Sequence, residues 1–101
     1  MSNLENKNII VTGASGGIGN SIIKKLNEAG ANILASGTRI EKLEELKKKF
    51  ENIKILKFDI SQSDKIEEFI ENATSELGGT LDGLVNNAGI TQDNLAIRMS
   101  L

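Results

Sequence analysis

The eight residues Thr12-Gly13-Ala14-Ser15-Gly16-Gly17-Ile18-Gly19 constrain this chain more than any other stretch. They follow an apolar run, Asn8-Ile9-Ile10-Val11-Thr12, that reads as a buried strand. They lead into a helical pattern with Ile18, Ile22, Ile23, Leu26 and Ala29 on one side. Strand, glycine-rich turn and helix in that order suit a nucleotide phosphate. Glycine lets backbone come close to a ligand or a packed neighbour, and a helix N-terminus offers unpaired N–H groups and positive dipole density to an anion.

The rest of the chain continues the alternation. Gly30 suits the position just past the first helix, and Asn32 to Ser36 reads as a second strand. Ile40, Leu43, Leu46 and Phe50 then mark the apolar face of a second helix. Ile53 to Phe58 forms a third strand whose partial alternation places it at a sheet edge. Ser61-Gln62-Ser63-Asp64 supplies capping residues for a third helix, with Ile66, Phe69, Ile70, Ala73 and Leu77 on its inner face and Gly78-Gly79 as its stop. Leu84-Val85-Asn86 is a fourth short strand, and Asp93 to Leu101 reads as the start of another helix. No linker, repeat or low-complexity segment interrupts the series.

The order β-α-β-α-β-α-β predicts a Rossmann-type, doubly wound parallel sheet in a three-layer α/β/α stack. In such a sheet the first strand is central and the fourth lies beside it across the switch point. The crevice beyond the strand ends would gather Gly13 to Gly19, Asp59 and Asn86 to Gly89. Residues 1–101 then form the N-terminal part of one dinucleotide-binding domain, with a pattern that stops inside a helical run. An end at Leu101 would leave one edge of the fourth strand unpaired and the chain poorly stable alone.

Composition removes several classes of function. Net charge is −2 with one basic cluster, Lys47-Lys48-Lys49, at a helix end where it complements the dipole, so nucleic acid is not an expected partner. The chain has no cysteine and no histidine, which excludes disulfides, thiolate nucleophiles, zinc–thiolate sites and any Ser-His arrangement within it. No metal site is expected. No apolar run approaches the roughly 20 residues that span a bilayer, and Met1 to Glu5 lacks the basic start and apolar stretch of a secretory signal. The expectation is a cytoplasmic protein without a membrane partner. Glu41, Glu44 and Glu45, like Glu67, Glu68 and Glu71, fall on the polar faces of helices and read as solvated rather than catalytic.

The glycine spacing, Gly13-x-x-x-Gly17-x-Gly19, differs from the common G-x-G-x-x-G fingerprint. It resembles instead the T-G-x-x-x-G-x-G signature of the short-chain dehydrogenase/reductase family. The second signature of that family, N-N-A-G, stands as Asn86-Asn87-Ala88-Gly89 after the fourth strand. Ile90-Thr91-Gln92-Asp93-Asn94-Leu95 and Ile97-Arg98-Met99 further resemble the branch of bacterial 3-oxoacyl-[acyl-carrier-protein] reductases. The resemblance runs over essentially the whole chain.

That resemblance implies a nicotinamide cofactor held by Thr12, Gly13, Ser15, Gly16, Gly17, Ile18 and Gly19 around the pyrophosphate, Ser15 by side chain and Ile18 by backbone. Asp59 and Ile60 would hold the adenine; the alternative is that Asp59 only opens the turn into Ser61. Asn86, Ala88 and Gly89 would lie beside the ribose, with Asn87 bracing the sheet. Charge argues for the phosphorylated cofactor. A free ribose 2′-OH is held by an acid about twenty residues past the turn, whereas a 2′-phosphate needs a cation there. The second strand ends Ser36-Gly37-Thr38-Arg39, with no carboxylate before Glu41. Arg39 can grip a phosphate through two parallel N–H bonds, and Ser36 and Thr38 add hydroxyl donors, so NADP(H) is expected.

The family's proton donor is a tyrosine in Y-x-x-x-K, with a serine and an asparagine assisting. This chain has no tyrosine, so no catalytic residue is carried over to it, and by itself it is expected to be inactive. The implied reaction is NADPH-dependent reduction of a 3-oxoacyl thioester on acyl carrier protein in fatty-acid synthesis, by an enzyme that is a homotetramer at full length. Arg98 is a candidate contact for the acidic carrier, or a surface salt-bridge residue. Two other readings stay open: a family member acting on a sugar, steroid or small alcohol, and a non-catalytic NADP-binding module.

Overall fold

The computed structural model describes residues 3–59, 61–87 and 96–99, with backbone only at 63 and 96–99. Five strands form one sheet: β1 (Asn8–Thr12), β2 (Asn32–Gly37), β3 (Lys54–Lys57), β4 (Gly83–Asn86) and β5 (Ala96–Met99), in the order β3-β2-β1-β4-β5. The first four run parallel, with β1 central and registered to β2 as Ile10↔Leu34 and to β4 as Ile10↔Leu84. Three helices connect them: α1 (Gly17–Glu28), α2 (Ile40–Lys49) and α3 (Ile66–Glu76). This is the expected doubly wound layout, with β3 at the predicted edge.

Strand alternation divides the core into two layers. Ile9, Val11, Ile33, Ala35 and Val85 face α1 and α2, where Ile23, Leu43 and Leu46 close the first cluster. Ile10 and Leu34 face the other way, against Phe69, Ala73 and Leu77 of α3. The central strand is therefore buried on both sides along its whole length, as a parallel strand covered by helices must be.

Three expectations change. Residues 96–99 form a strand, not a helix: β5 pairs antiparallel with β4, Val85 opposite Ile97. The remainder of the predicted helix, 93–95 and 100–101, lies outside the described residues. The far edge of β4 is accordingly paired rather than open; an apolar strand with unsatisfied N–H and C=O groups recruits the β-compatible segment that can reach it. Ile18 does not join the apolar face of α1: it is 58% exposed on the first turn, while Ile22, Ile23 and Leu26 pack inward. Finally, Ser61 to Asp64 do not cap α3 directly. A 3₁₀ turn at Ser63–Lys65 intervenes, and Lys65 precedes the helix without a side-chain cap.

The opposite end of the sheet is clasped by polar side chains. Asp82 Oδ2 accepts the Asn8 backbone N–H at 2.8 Å, and Asn8 Nδ2 donates to the Thr80 carbonyl at 2.9 Å. Asn32 Nδ2 donates to Asn8 Oδ1 at 3.0 Å. These bonds satisfy buried polar groups where β1 and β2 begin, away from the glycine turn.

Candidate functional site

The site is built at the C-terminal ends of the parallel strands, where β1, β2, β3 and β4 all stop. Gly13 turns the chain out of β1 with φ 64°, a left-handed conformation that glycine adopts freely. The turn is held from two sides. The Ala14 N–H donates to the Ser36 carbonyl at 2.8 Å, and Asn87 Nδ2 donates to the Gly13 carbonyl at 3.0 Å. Thr12 Oγ1 donates to Asn86 Oδ1 at 3.0 Å, tying the ends of β1 and β4 together.

Gly19 lets α1 sit hard on this turn. A methyl group there would lie 2.5 Å from the Gly13 carbonyl oxygen and 2.7 Å from Ala14 Cα. Gly37 does the same for β2, where a Cβ would come within 2.9 Å of Ser15 Oγ. Gly16 and Gly17 differ: no protein atom lies within 4 Å of the position a Cβ would take. Their small size serves no packing need inside the described chain, and the space above them is open. Gly16 is also the N-cap of α1, without a side-chain cap and with no acidic residue in the first turn. The partial positive charge of the first-turn N–H groups of a twelve-residue helix is thus offset by neither a side-chain cap nor an acid of that turn.

In front of the strand ends lies a cleft of about 440 Å³, a volume typical of small-molecule sites. Thr12, Gly13, Ser15, Ser36, Thr38 and Asp59, all named from sequence, line it. So do Gly37, Phe58, Ser61 and Asn87. From the sequence Asn87 was expected to brace the sheet, and here it bonds the Gly13 carbonyl of the turn; Phe58 and Ser61 were not named for the site. Phe58 extends the apolar alternation of β3, and its ring stacks on Phe69 at 4.3 Å. Gly16 and Gly17 line a second, smaller cleft of about 160 Å³ that shares Ser15 with the first.

The remaining named residues divide into three groups. Gly19 is buried beneath the turn, and Ile18 is exposed beside it. Asn86 acts on Thr12 rather than on the cleft, and Arg39 stands at the rim with Nη2 3.3 Å from the Ser15 carbonyl. Ile60, Ala88 and Gly89 lie outside the described residues. Ser36 lies at the floor of the cleft, only 1% exposed, because it points to the α3 side of a strand covered on both faces; Thr38 and Arg39, one step beyond the sheet, are exposed. Asp59 lines the cleft and also opens the turn, its Oδ1 accepting the Ser61 hydroxyl at 2.7 Å and the Ser61 N–H at 3.0 Å. Those two bonds, the hydroxyl first, hold its carboxyl below the usual aspartate value.

Among the described residues no cluster of three or more His, Cys, Asp or Glu could hold a metal, and no helix is long and apolar enough to cross a membrane.

Comparison with known proteins agrees with this layout. Residues 7–101 match the family model described as short chain dehydrogenase. Over 101 residues the chain is 43% identical to Nodulation protein G of Rhizobium sp. (strain N33), covering 99% of this chain and 41% of that protein. Over 98 residues it is 41% identical to 3-oxoacyl-[acyl-carrier-protein] reductase FabG of Vibrio cholerae, covering 96% of this chain and 40% of that protein. A short-chain dehydrogenase/reductase of glucose/ribitol dehydrogenase type from Brucella melitensis superposes with a TM-score of 0.77 at 34% identity, over 91% of this chain and 40% of its own. The chain therefore spans about two fifths of the length of these relatives.

Proposed function

Because the chain belongs to the short-chain dehydrogenase family, we propose that it supplies the cofactor-binding half of an NADPH-dependent 3-oxoacyl-[acyl-carrier-protein] reductase. The reaction reduces a 3-oxoacyl thioester to the 3-hydroxyacyl thioester. One observation carries the cofactor reading: the open space over Gly16 and Gly17 lies beside an uncapped helix N-terminus and a cleft at the parallel strand ends. A pyrophosphate is the kind of group that fits an anion-seeking, sterically empty cradle of this sort.

The chemistry such a cofactor supplies when bound is hydride transfer to a carbonyl carbon. This chain's own residues bind and orient. The N–H groups at the start of α1 hold the pyrophosphate, and Gly19 and Asn87 keep the turn that presents them in place. Thr38 and Arg39, with no carboxylate between Gly37 and Glu41, favour a 2′-phosphate over a free 2′-OH. Asp59 and the neighbouring Ile60 hold the adenine end, and Ala88 and Gly89 the ribose. With neither tyrosine nor histidine in its 101 residues, this chain holds no proton donor of the family's kind.

The substrate assignment is supported by 41% identity to the Vibrio cholerae reductase and by the resemblance of Ile90 to Met99 to that branch. The same resemblance supports an acyl-carrier-protein partner, a cytoplasmic setting and a homotetramer. A sugar- or alcohol-oxidising relative is the second reading, favoured by the Brucella melitensis structure at 34% identity. The test is NADPH oxidation by the protein at its natural length with an acetoacetyl thioester and, in parallel, a simple ketone. Turnover of the thioester is expected; turnover of the ketone alone would reject the fatty-acid assignment.

A further inference from the structure

Of the smaller cleft beside the glycine turn, the reading above uses only the Gly16–Gly17 side; its α2 side has no part in it. One wall is Ser15, Gly16, Gly17 and Asn20; the other is the flank of α2 that carries Lys42, Glu45 and Lys49. Ser15 belongs to both clefts and joins them. The first turn of α2 is drawn against that junction, since Arg39 is its N-cap and reaches the Ser15 carbonyl at 3.3 Å. Lys42 follows three residues later, a spacing that puts it on the same side of the helix as Arg39.

Lys42 is loosely held. Its ammonium lies 3.9 Å from Glu45 Oε1, an i,i+3 pair whose two side chains are 43% and 66% exposed. Pairs of this sort contribute little and exchange readily for a better anion. An anion at the junction would meet the guanidinium of Arg39 and the ammonium of Lys42 against the single carboxylate of Glu45. The empty space over Gly16 leaves room for it, where any longer side chain would intrude.

We propose that Lys42 is a specificity-determining residue that reads the 2′-phosphate of the cofactor from the smaller cleft, with Arg39 gripping it from the rim. The inference rests on the dinucleotide reading and deepens it: two cations on one turn of α2, rather than Arg39 alone, separate NADPH from NADH. Glu45 opposes them and tempers the preference.

The test measures NADPH and NADH affinity by calorimetry for the protein and for Lys42→Met, Glu45→Gln and Lys48→Met. Methionine keeps the apolar stem and the helix propensity of lysine, so the fold is retained. Lys48 is exposed and outside both clefts, and its variant controls for net charge. Lys42→Met is expected to weaken NADPH about two- to fivefold, as loss of one partly screened charge contact implies, with NADH unchanged. Glu45→Gln is expected to tighten NADPH about twofold, and Lys48→Met to change neither. Unchanged NADPH affinity in Lys42→Met, or equal losses of both cofactors, would overturn the assignment. Failure of the unsubstituted protein to bind either dinucleotide would instead overturn the cofactor reading itself, and the role of Lys42 with it.

Discussion

Two glycines of the same turn are expected to respond oppositely to the same substitution. In Gly19→Ala the new methyl would lie 2.5 Å from the Gly13 carbonyl oxygen and 2.7 Å from Ala14 Cα, both backbone atoms that no rotamer change can move aside. Overpacking of this kind costs about 1–3 kcal/mol, while alanine's better helix propensity returns at most about 1 kcal/mol. A net loss of about 1–2 kcal/mol corresponds to a fall in Tm of roughly 4–16 °C for a domain of this size. The turn and the start of α1 must also shift, so cofactor affinity falls with stability. In Gly17→Ala the methyl meets no protein atom within 4 Å, and the position is the first residue of α1. Tm should stay level or rise by the few degrees that helix propensity allows. Affinity for NADPH should nevertheless drop at least about tenfold, because the methyl occupies the approach of the pyrophosphate. Circular-dichroism melts and calorimetric titration of both variants give the comparison. A Gly19→Ala protein with unchanged Tm would refute the close packing of α1 on the turn. A Gly17→Ala protein that binds NADPH as the parent does would refute the cradle.

Other outcomes follow from single contacts. Arg39→Asp should weaken NADPH far more than NADH, because it exchanges the cation that faces the 2′-phosphate for a repelling carboxylate; equal losses in the two titrations would show that Arg39 does not read the phosphate. Asn87→Ala removes the 3.0 Å bond to the Gly13 carbonyl and should cost about 1 kcal/mol of stability, seen in denaturant unfolding, together with weaker cofactor binding; an unaltered midpoint would contradict the brace. Asp59 should titrate below the usual aspartate value because of its two bonds from Ser61. With its folded pKa depressed, the stability it lends is present above the unfolded aspartate pKa and is lost as pH falls through the folded one. Carboxyl-carbon NMR should show its midpoint rising in Ser61→Ala, which removes the hydroxyl but keeps the N–H bond, and coincident midpoints would exclude the Ser61 hydroxyl as the main cause.

Much of this architecture was legible because the patterns that encode it are local. The strand–turn–helix unit follows from glycine spacing between an apolar run and a helical period, and the central place of β1 follows from the order of elements. The edge position of β3 could be read from its alternation. What was not legible depends on contacts distant in sequence. Residues 96–99 carry no decisive period of their own, and the free edge of β4 decides that they pair as a strand. Ile18 completes a helical stripe in the sequence, yet on the first turn of α1 it is exposed rather than packed against the sheet. That Ser36 is 1% exposed at the floor of the cleft while Thr38 and Arg39 are exposed depends on how the sheet is covered, which the sequence does not show locally. Phe58 and Ser61 escaped notice because a cleft wall is set by where strand ends meet. The one available signal was their position on either side of Asp59.

The central claim, that these strand ends receive a 2′-phosphorylated dinucleotide, is tested most directly by titrating the unsubstituted protein with NADPH and NADH side by side in low salt. Both are expected to bind, NADPH at least about tenfold more tightly, equivalent to about 1.4 kcal/mol from added charge contacts, with the gap narrowing as salt screens the exposed cations. NADH bound as tightly as NADPH, or neither bound at all, would contradict it.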